Sequence, residues 1–165
     1  MRLTAPEMLE SAIRLILALL FGAVIGWERE RKGRPAGLRT HMLVSIGAAG
    51  FTLVALEISG ASIAAGIKPP FDPGRIISTI VGGIGFLGAG AILHSRHRVH
   101  GLTTAASIWA VAAIGIACGC GLYALAVIMT GLGIMTLIVI KQLERKWFDD
   151  DAGDGPPADA DGTGA

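Results

Sequence analysis

Charged residues divide this chain into apolar runs whose lengths match membrane-crossing helices. None occurs between Gly101 and Ile140, a stretch of forty residues. As one α-helix it would extend about 60 Å, twice the roughly 30 Å hydrocarbon core of a bilayer. The stretch must therefore fold back on itself, and Gly119-Cys120-Gly121 at its midpoint supplies residues tolerant of positive φ. This predicts helices over 102–118 and 122–140. Ile76 to Leu93 is uncharged over eighteen residues and Met42 to Leu56 over fifteen, with Glu57 just beyond, which predicts helices over 76–93 and 42–58. The first apolar run ends at Trp27 and predicts a helix over 8–27. There Glu10 and Arg14 stand at i, i+4 and can pair, with Arg14 near enough to the helix end to snorkel. The predicted fold is all-α: a polytopic membrane protein of about five transmembrane helices in a domain over residues 1–147.

Composition supports that reading. Hydrophobic residues make up 52% of the chain and charged residues 16%, against about 25% charged in ordinary soluble domains, so too few charges remain to solvate a globule. Gly, at 24 residues, weakens helices in water but lets helices approach closely in membranes. Glu7 and Glu10 before the first run, and no A-x-A-like site after it, favour a retained helix over a cleaved signal peptide. The net charge of +1 gives no argument for nucleic acid.

The basic residues set the expected orientation. Arg29, Arg31, Lys32, Arg34 and Arg39, then Arg96 and Arg98, then Lys141, Arg145 and Lys146 fall on one side of a five-pass chain. The other side holds Arg2, Lys68 and Arg75. The positive-inside rule puts the N-terminus outside and the C-terminus in the cytoplasm. Trp27 and Trp147 then mark the cytoplasmic interface and Tyr123 the outer one. Residues 148–165, rich in Asp and lacking apolar periodicity, read as a disordered acidic tail.

Several motifs carry residue types that chemistry could use. Gly83-Ile84-Gly85-Phe86-Leu87-Gly88 matches the dinucleotide fingerprint in letters, but it sits inside an apolar run with no strand before it and Ile108 where an acid is needed. The expected role is helix packing by Gly85, Gly88 and Gly90, as for Gly22 and Gly26 in the first helix. The loop from Glu28 to His41 reads either as an ordered functional surface, with Pro35-Ala36-Gly37 making a turn, or as a topological spacer attracted to anionic lipid. His94, His97 and His100 lie among arginines that repel cations, so a basic loop is expected over a metal site. Cys118 and Cys120 are too sparse for zinc and poorly placed for a disulfide. The spans hold no mid-membrane carboxylate, which disfavours ion transport by this chain alone, though a pore of backbone carbonyls stays open.

Three blocks together, RLILALLFGAVIGWERERKGRPAGLRTH from Arg14, GGIGFLGAGAIL from Gly82 and GLTTAASIWAVAAIG from Gly101, resemble the MgtC/SapB family of bacterial inner-membrane proteins. The resemblance implies five membrane helices, a cytoplasmic C-terminus and a role in adaptation to low magnesium and, in pathogens, in virulence. Many members continue into a soluble ACT-like domain, and this sequence reads as a short form without it. His100 stands where Arg or Lys is common in the family.

The leading expectation is an accessory or regulatory protein of the bacterial cytoplasmic membrane. Its partners would be the lipid bilayer, other membrane proteins and itself as a homo-oligomer, with no cofactor and no metal. The rival is a small channel or carrier for Mg²⁺ or another solute. No catalytic residues are assigned and enzymatic activity is not expected. The expected functional loop is Glu28, Arg29, Arg34, Gly37, Arg39, Thr40 and His41, and Thr103, Thr104 and Trp109 are expected to face the bundle interior.

Overall fold

Among the described residues five α-helices run alternately up and down. The computed structural model describes residues 4–69, 72–95 and 98–140; the acidic tail, with Lys141, Arg145, Lys146 and Trp147, lies outside them. The helices are α1 (Ala5–Arg31), α2 (Leu38–Ala64), α3 (Pro73–Ala91), α4 (Leu102–Gly119) and α5 (Tyr123–Met135). Strands β1 (Leu93–Ser95) and β2 (Arg98–His100) pair antiparallel as a short hairpin between α3 and α4, with Leu93 opposite His100 and Ser95 opposite Arg98. The chain divides into two compact units, residues 1–134 and 135–165. In the second unit the described residues include a π-helical segment, Thr136–Ile140. Helix five was expected to run unbroken over 122–140; its α-helical part stops at Met135, and the segment after it is wound more loosely.

Local chemistry sets the helix ends. The Glu7 carboxylate accepts hydrogen bonds from the Thr4 N–H at 2.7 Å and the Thr4 hydroxyl at 2.8 Å, closing the start of α1. Asp72 caps α3 by accepting from the Gly74 N–H at 2.9 Å. The α4–α5 hairpin forms where the uncharged stretch predicts it, with the left-handed residue at Gly121 (φ 74°). Leu122 N–H reaches the Ala117 carbonyl and Gly121 N–H that of Cys118, the paired bonds of a Schellman ending.

Both α1 and α2 are longer than expected. The apolar runs predict 8–27 and 42–58, but α1 continues to Arg31 and α2 begins at Leu38, because the edge of the apolar run marks the membrane and not the helix. Glu, Arg and Lys are good helix formers and carry the winding past that edge.

Helix α2 is the centre of the first unit, packed against α1, α3 and α4. Its closest approaches are to two pairs of glycines. A Cβ on Gly22 would come within 2.7 Å of the His41 carbonyl oxygen and 2.9 Å of Ser45 Cβ; one on Gly26 would lie 2.8 Å from Leu38 Cα. From the other side, a Cβ on Gly115 would lie 2.2 Å from the Ser45 carbonyl oxygen, and one on Gly119 2.8 Å from that of Ala49. Contact order along the chain makes α1 antiparallel and α4 parallel to α2. Gly115-x₃-Gly119 is the same small-residue spacing as Gly22-x₃-Gly26.

The interior combines small and polar residues with larger apolar ones such as Ile108, Val111 and Ile114, and the outside is large and apolar. Ala18, Gly22 and Gly26 of α1 are buried, while Leu9, Ile13, Ile16, Leu20, Val24 and Trp27 of the same helix point outward. Exposed apolar side chains continue over α2, α3, α4 and α5. An uninterrupted apolar surface of this extent is unstable in water and suited to lipid. Four of the helices, α1 to α4, are long and apolar enough to cross a bilayer, and α5 is a shorter apolar helix. The protein is an all-helical membrane protein with one short hairpin.

Candidate functional site

Polar groups converge where α1 ends and α2 and α4 begin. Helix α1 closes in a Schellman turn: Gly33 adopts φ 59°, its N–H donates to the Glu30 carbonyl at 2.9 Å, and Arg34 N–H donates to that of Arg29 at 3.1 Å. The chain then turns through Pro35 and Ala36 to Gly37, the N-cap of α2. Glu30 reaches across this turn and accepts from the Leu38 N–H at 2.7 Å, a carboxylate at a helix N-terminus. Gly37 leaves room for this contact, because a Cβ there would lie 1.9 Å from Glu30 Oε2 and push the carboxylate aside.

Beneath the turn lies a buried cluster. Arg29 is 4% exposed and its Nη2 donates to Thr104 Oγ1 on α4 at 3.0 Å. Glu28, also buried, pairs with Lys32 one turn on, and its Oε2 stands 4.0 Å from Arg29 Nη1. His41 is fully buried on α2, with Nδ1 2.8 Å from the Gly37 carbonyl and Nε2 3.0 Å from Ser107 Oγ. A carbonyl only accepts, so Nδ1 carries a hydrogen. Ser107 Oγ also stands 2.8 Å from the Thr104 carbonyl. In the neutral ring, Nε2 and that carbonyl compete for the single Ser107 hydroxyl hydrogen. These bonds tie all three helices at one end. Glu28 Oε2, Arg29 Nε and Ser45 Oγ are buried and have no hydrogen bond among the described residues.

At the opposite end Arg14 plays a matching part. It pairs with Glu10, as the i, i+4 spacing predicts, and its Nη1 donates to the Gly119 carbonyl at 2.8 Å. A cation thus closes the C-terminus of α4, where the helix dipole favours it.

The expected site residues separate into distinct places. Glu28 and Arg29 belong to α1, and Arg39, Thr40 and His41 to α2, so the expected loop shrinks to the six residues from Lys32 to Gly37. Glu28, Arg29 and His41 are buried; Arg34, Arg39 and Thr40 are exposed. Of the three residues expected inside, Thr104 is buried, but Thr103 is exposed and Trp109 is 52% exposed. The 100° step of a helix turns Trp109 and Thr103 outward when Thr104, Ser107 and Ile108 face α1 and α2.

The helix-three glycines also depart from expectation. Cβ atoms at Gly85 and Gly90 would meet nothing within 4 Å, and one at Gly88 only the methyl of Ala105 at 3.7 Å. Their packing role within this chain passes to Gly115 and Gly119, whose four-residue spacing was the available signal. Among the described residues no group of three His, Cys, Asp or Glu could hold a metal ion; His97 lies outside them. Cys118 and Cys120 are free thiols.

Residues 15–146 match the profile of the MgtC family, a span that contains the whole junction. The chain belongs to the MgtC family. Similar members include protein SrpB of Synechococcus elongatus, 46% identical over 81% of this chain and 76% of SrpB. YhiD of Escherichia coli (strain K12) is 42% identical over 84% of this chain and 63% of YhiD. Protein MgtC of Salmonella typhimurium (strain LT2) is 41% identical over 81% of this chain and 54% of that protein. The match thus spans little more than half of MgtC and under two thirds of YhiD. No solved structure matches the chain.

Proposed function

We propose that this MgtC-family protein is an accessory or regulatory factor in adaptation to low magnesium, acting through other proteins of the bacterial cytoplasmic membrane. It crosses that membrane several times with its N-terminus outside, and it catalyses no reaction. Family membership supports the magnesium setting, as does the provisional magnesium-transporter label in the name of YhiD.

One observation favours regulation over conduction. The most polar seam of the bundle, between α1, α2 and α4, is closed at Ser45, where Gly22 and Gly115 press on α2 from two sides at backbone contact distance. No hydrated path fits between helices in such contact. The junction at the end of the seam, with the turn from Lys32 to Gly37 and exposed Thr40 at the start of α2, is a surface suited to another protein.

The rival reading, a small carrier or channel for Mg²⁺, rests on the label of YhiD. Liposomes containing only the purified chain separate the two: Mg²⁺ influx no faster than in empty liposomes is expected, together with impaired growth of the deletion strain in low magnesium. Selective Mg²⁺ uptake by the protein alone would overturn the regulatory reading.

A further inference from the structure

We propose that the groove between α2 and α3 holds an acyl chain of an anionic phospholipid, with Arg39 and the neighbouring free arginines gripping its headgroup phosphate. The groove is a cavity of about 660 Å³, walled on α2 by Leu43, Gly47, Phe51 and Val54 and on α3 mainly by Ile80 and Gly83. Among the described residues Thr79 is its only polar lining side chain, and that hydroxyl is already used, donating to the Arg75 carbonyl at 2.9 Å. The described lining is therefore almost entirely hydrocarbon.

Charge selects the occupant. Arg39 is exposed and stands one turn before Leu43 on the same face of α2, at the mouth of the groove. The same arrangement recurs on α1, where exposed Arg31 stands one turn beyond Trp27, itself 61% exposed. Each arginine sits directly above a large apolar side chain facing lipid, as a headgroup sits above its acyl chain. The α2 wall runs from Leu43 to Ile58, a rise of about 22 Å, so an acyl chain as deep as one leaflet of a core about 30 Å thick would fill the part of the groove nearer Arg39.

The internal pairing decides which charges are available. Glu28 engages Lys32 and lies beside Arg29, which is held by Thr104. Glu30 is occupied by the Leu38 N–H. Among the described residues Arg31, Arg34 and Arg39 have neither an ion pair nor a hydrogen bond through their side chains, so with Glu30 the one exposed carboxylate beside them this rim carries a net positive charge. A second copy of this chain would bring the same net positive charge and repel; an anionic lipid compensates it. A free phosphate would leave the apolar groove unfilled.

The test uses the full chain reconstituted in phosphatidylcholine bilayers, with trace phosphatidylglycerol or phosphatidylcholine spin-labelled on the acyl chain. The motionally restricted fraction of each is read by electron paramagnetic resonance. The expected result is preference for phosphatidylglycerol of about fivefold or more, lost in R31Q/R34Q/R39Q and retained in R75Q. Gly47→Leu, whose side chain enters open space in the groove, should reduce restricted lipid without unfolding the protein, as circular dichroism would confirm. Equal restriction of the two lipids, or a preference unchanged in the triple variant, overturns the proposal. So does cross-linking that shows dimers in the original chain and monomers in Gly47→Leu while lipid selectivity stays the same.

Discussion

Helices α3 and α4 carry the same kinds of residue, yet one is open and the other closed. In α4, Gly115 and Gly119 face α2 so tightly that a methyl group would collide with its backbone. In α3, Gly82, Gly83, Gly85 and Gly90 would each accept a Cβ in open space, and Ser78, Gly82, Gly85 and Ala89 are exposed. Helix α3 also leaves Phe86 81% exposed. A glycine pattern therefore reports the capacity for close approach, and the neighbour that uses it must be found in three dimensions. The seam around α2 is built for permanent contact; the α3 side is left for lipid.

Substitutions along the two helices sharpen this contrast. The largest effect is expected for Gly115→Leu, which forces α4 off Ser45 and should cost about 3 kcal/mol or more, read as a fall in thermal midpoint in detergent. Next comes the buried junction. Arg29→Met and Thr104→Val should each destabilise, and a double-mutant cycle should give a coupling of about 1 kcal/mol, because a charged donor and its hydroxyl acceptor act together. A coupling near zero would mean that the Arg29–Thr104 bond contributes nothing.

Gly37→Ala is expected to cost about 1 kcal/mol, since the methyl displaces Glu30 from the start of α2; Glu30→Gln in the same background should then add little. The smallest effect belongs to Gly85→Leu, which should leave the thermal midpoint within about 0.5 kcal/mol of the original. If Gly85→Leu were as damaging as Gly115→Leu, the contrast between the helices would collapse.

The number of helices, their alternation and the α4–α5 hairpin at Gly121 could be read from the chain, because the length of an uncharged run against bilayer thickness is a one-dimensional quantity. The Glu10–Arg14 pair was legible for the same reason: i, i+4 spacing within one helix needs no tertiary information. The extents of α1 and α2 were not. Charge marks where a helix leaves lipid, and Glu28 to Arg31 continue the winding beyond that point. The expected loop residues consequently fell into two helix ends with opposite exposures.

The candidate site shows the same division. That Glu28, Arg29 and His41 matter to one end of the bundle could be inferred from their density beside a turn. That Arg29 binds Thr104, 75 residues away, and His41 lies against Ser107, 66 residues away, depended on how α4 docks. The rotation of α4 also turned Trp109 outward against expectation.

What the sequence determined by itself is a set of membrane-length helices, their order, and residues small enough for backbones to touch. The tertiary structure alone decided which small residues touch. It chose Gly22, Gly26, Gly115 and Gly119 around α2 and left the α3 glycines open, because a helix contact depends on the azimuth and depth of two surfaces at once. Neither surface encodes both.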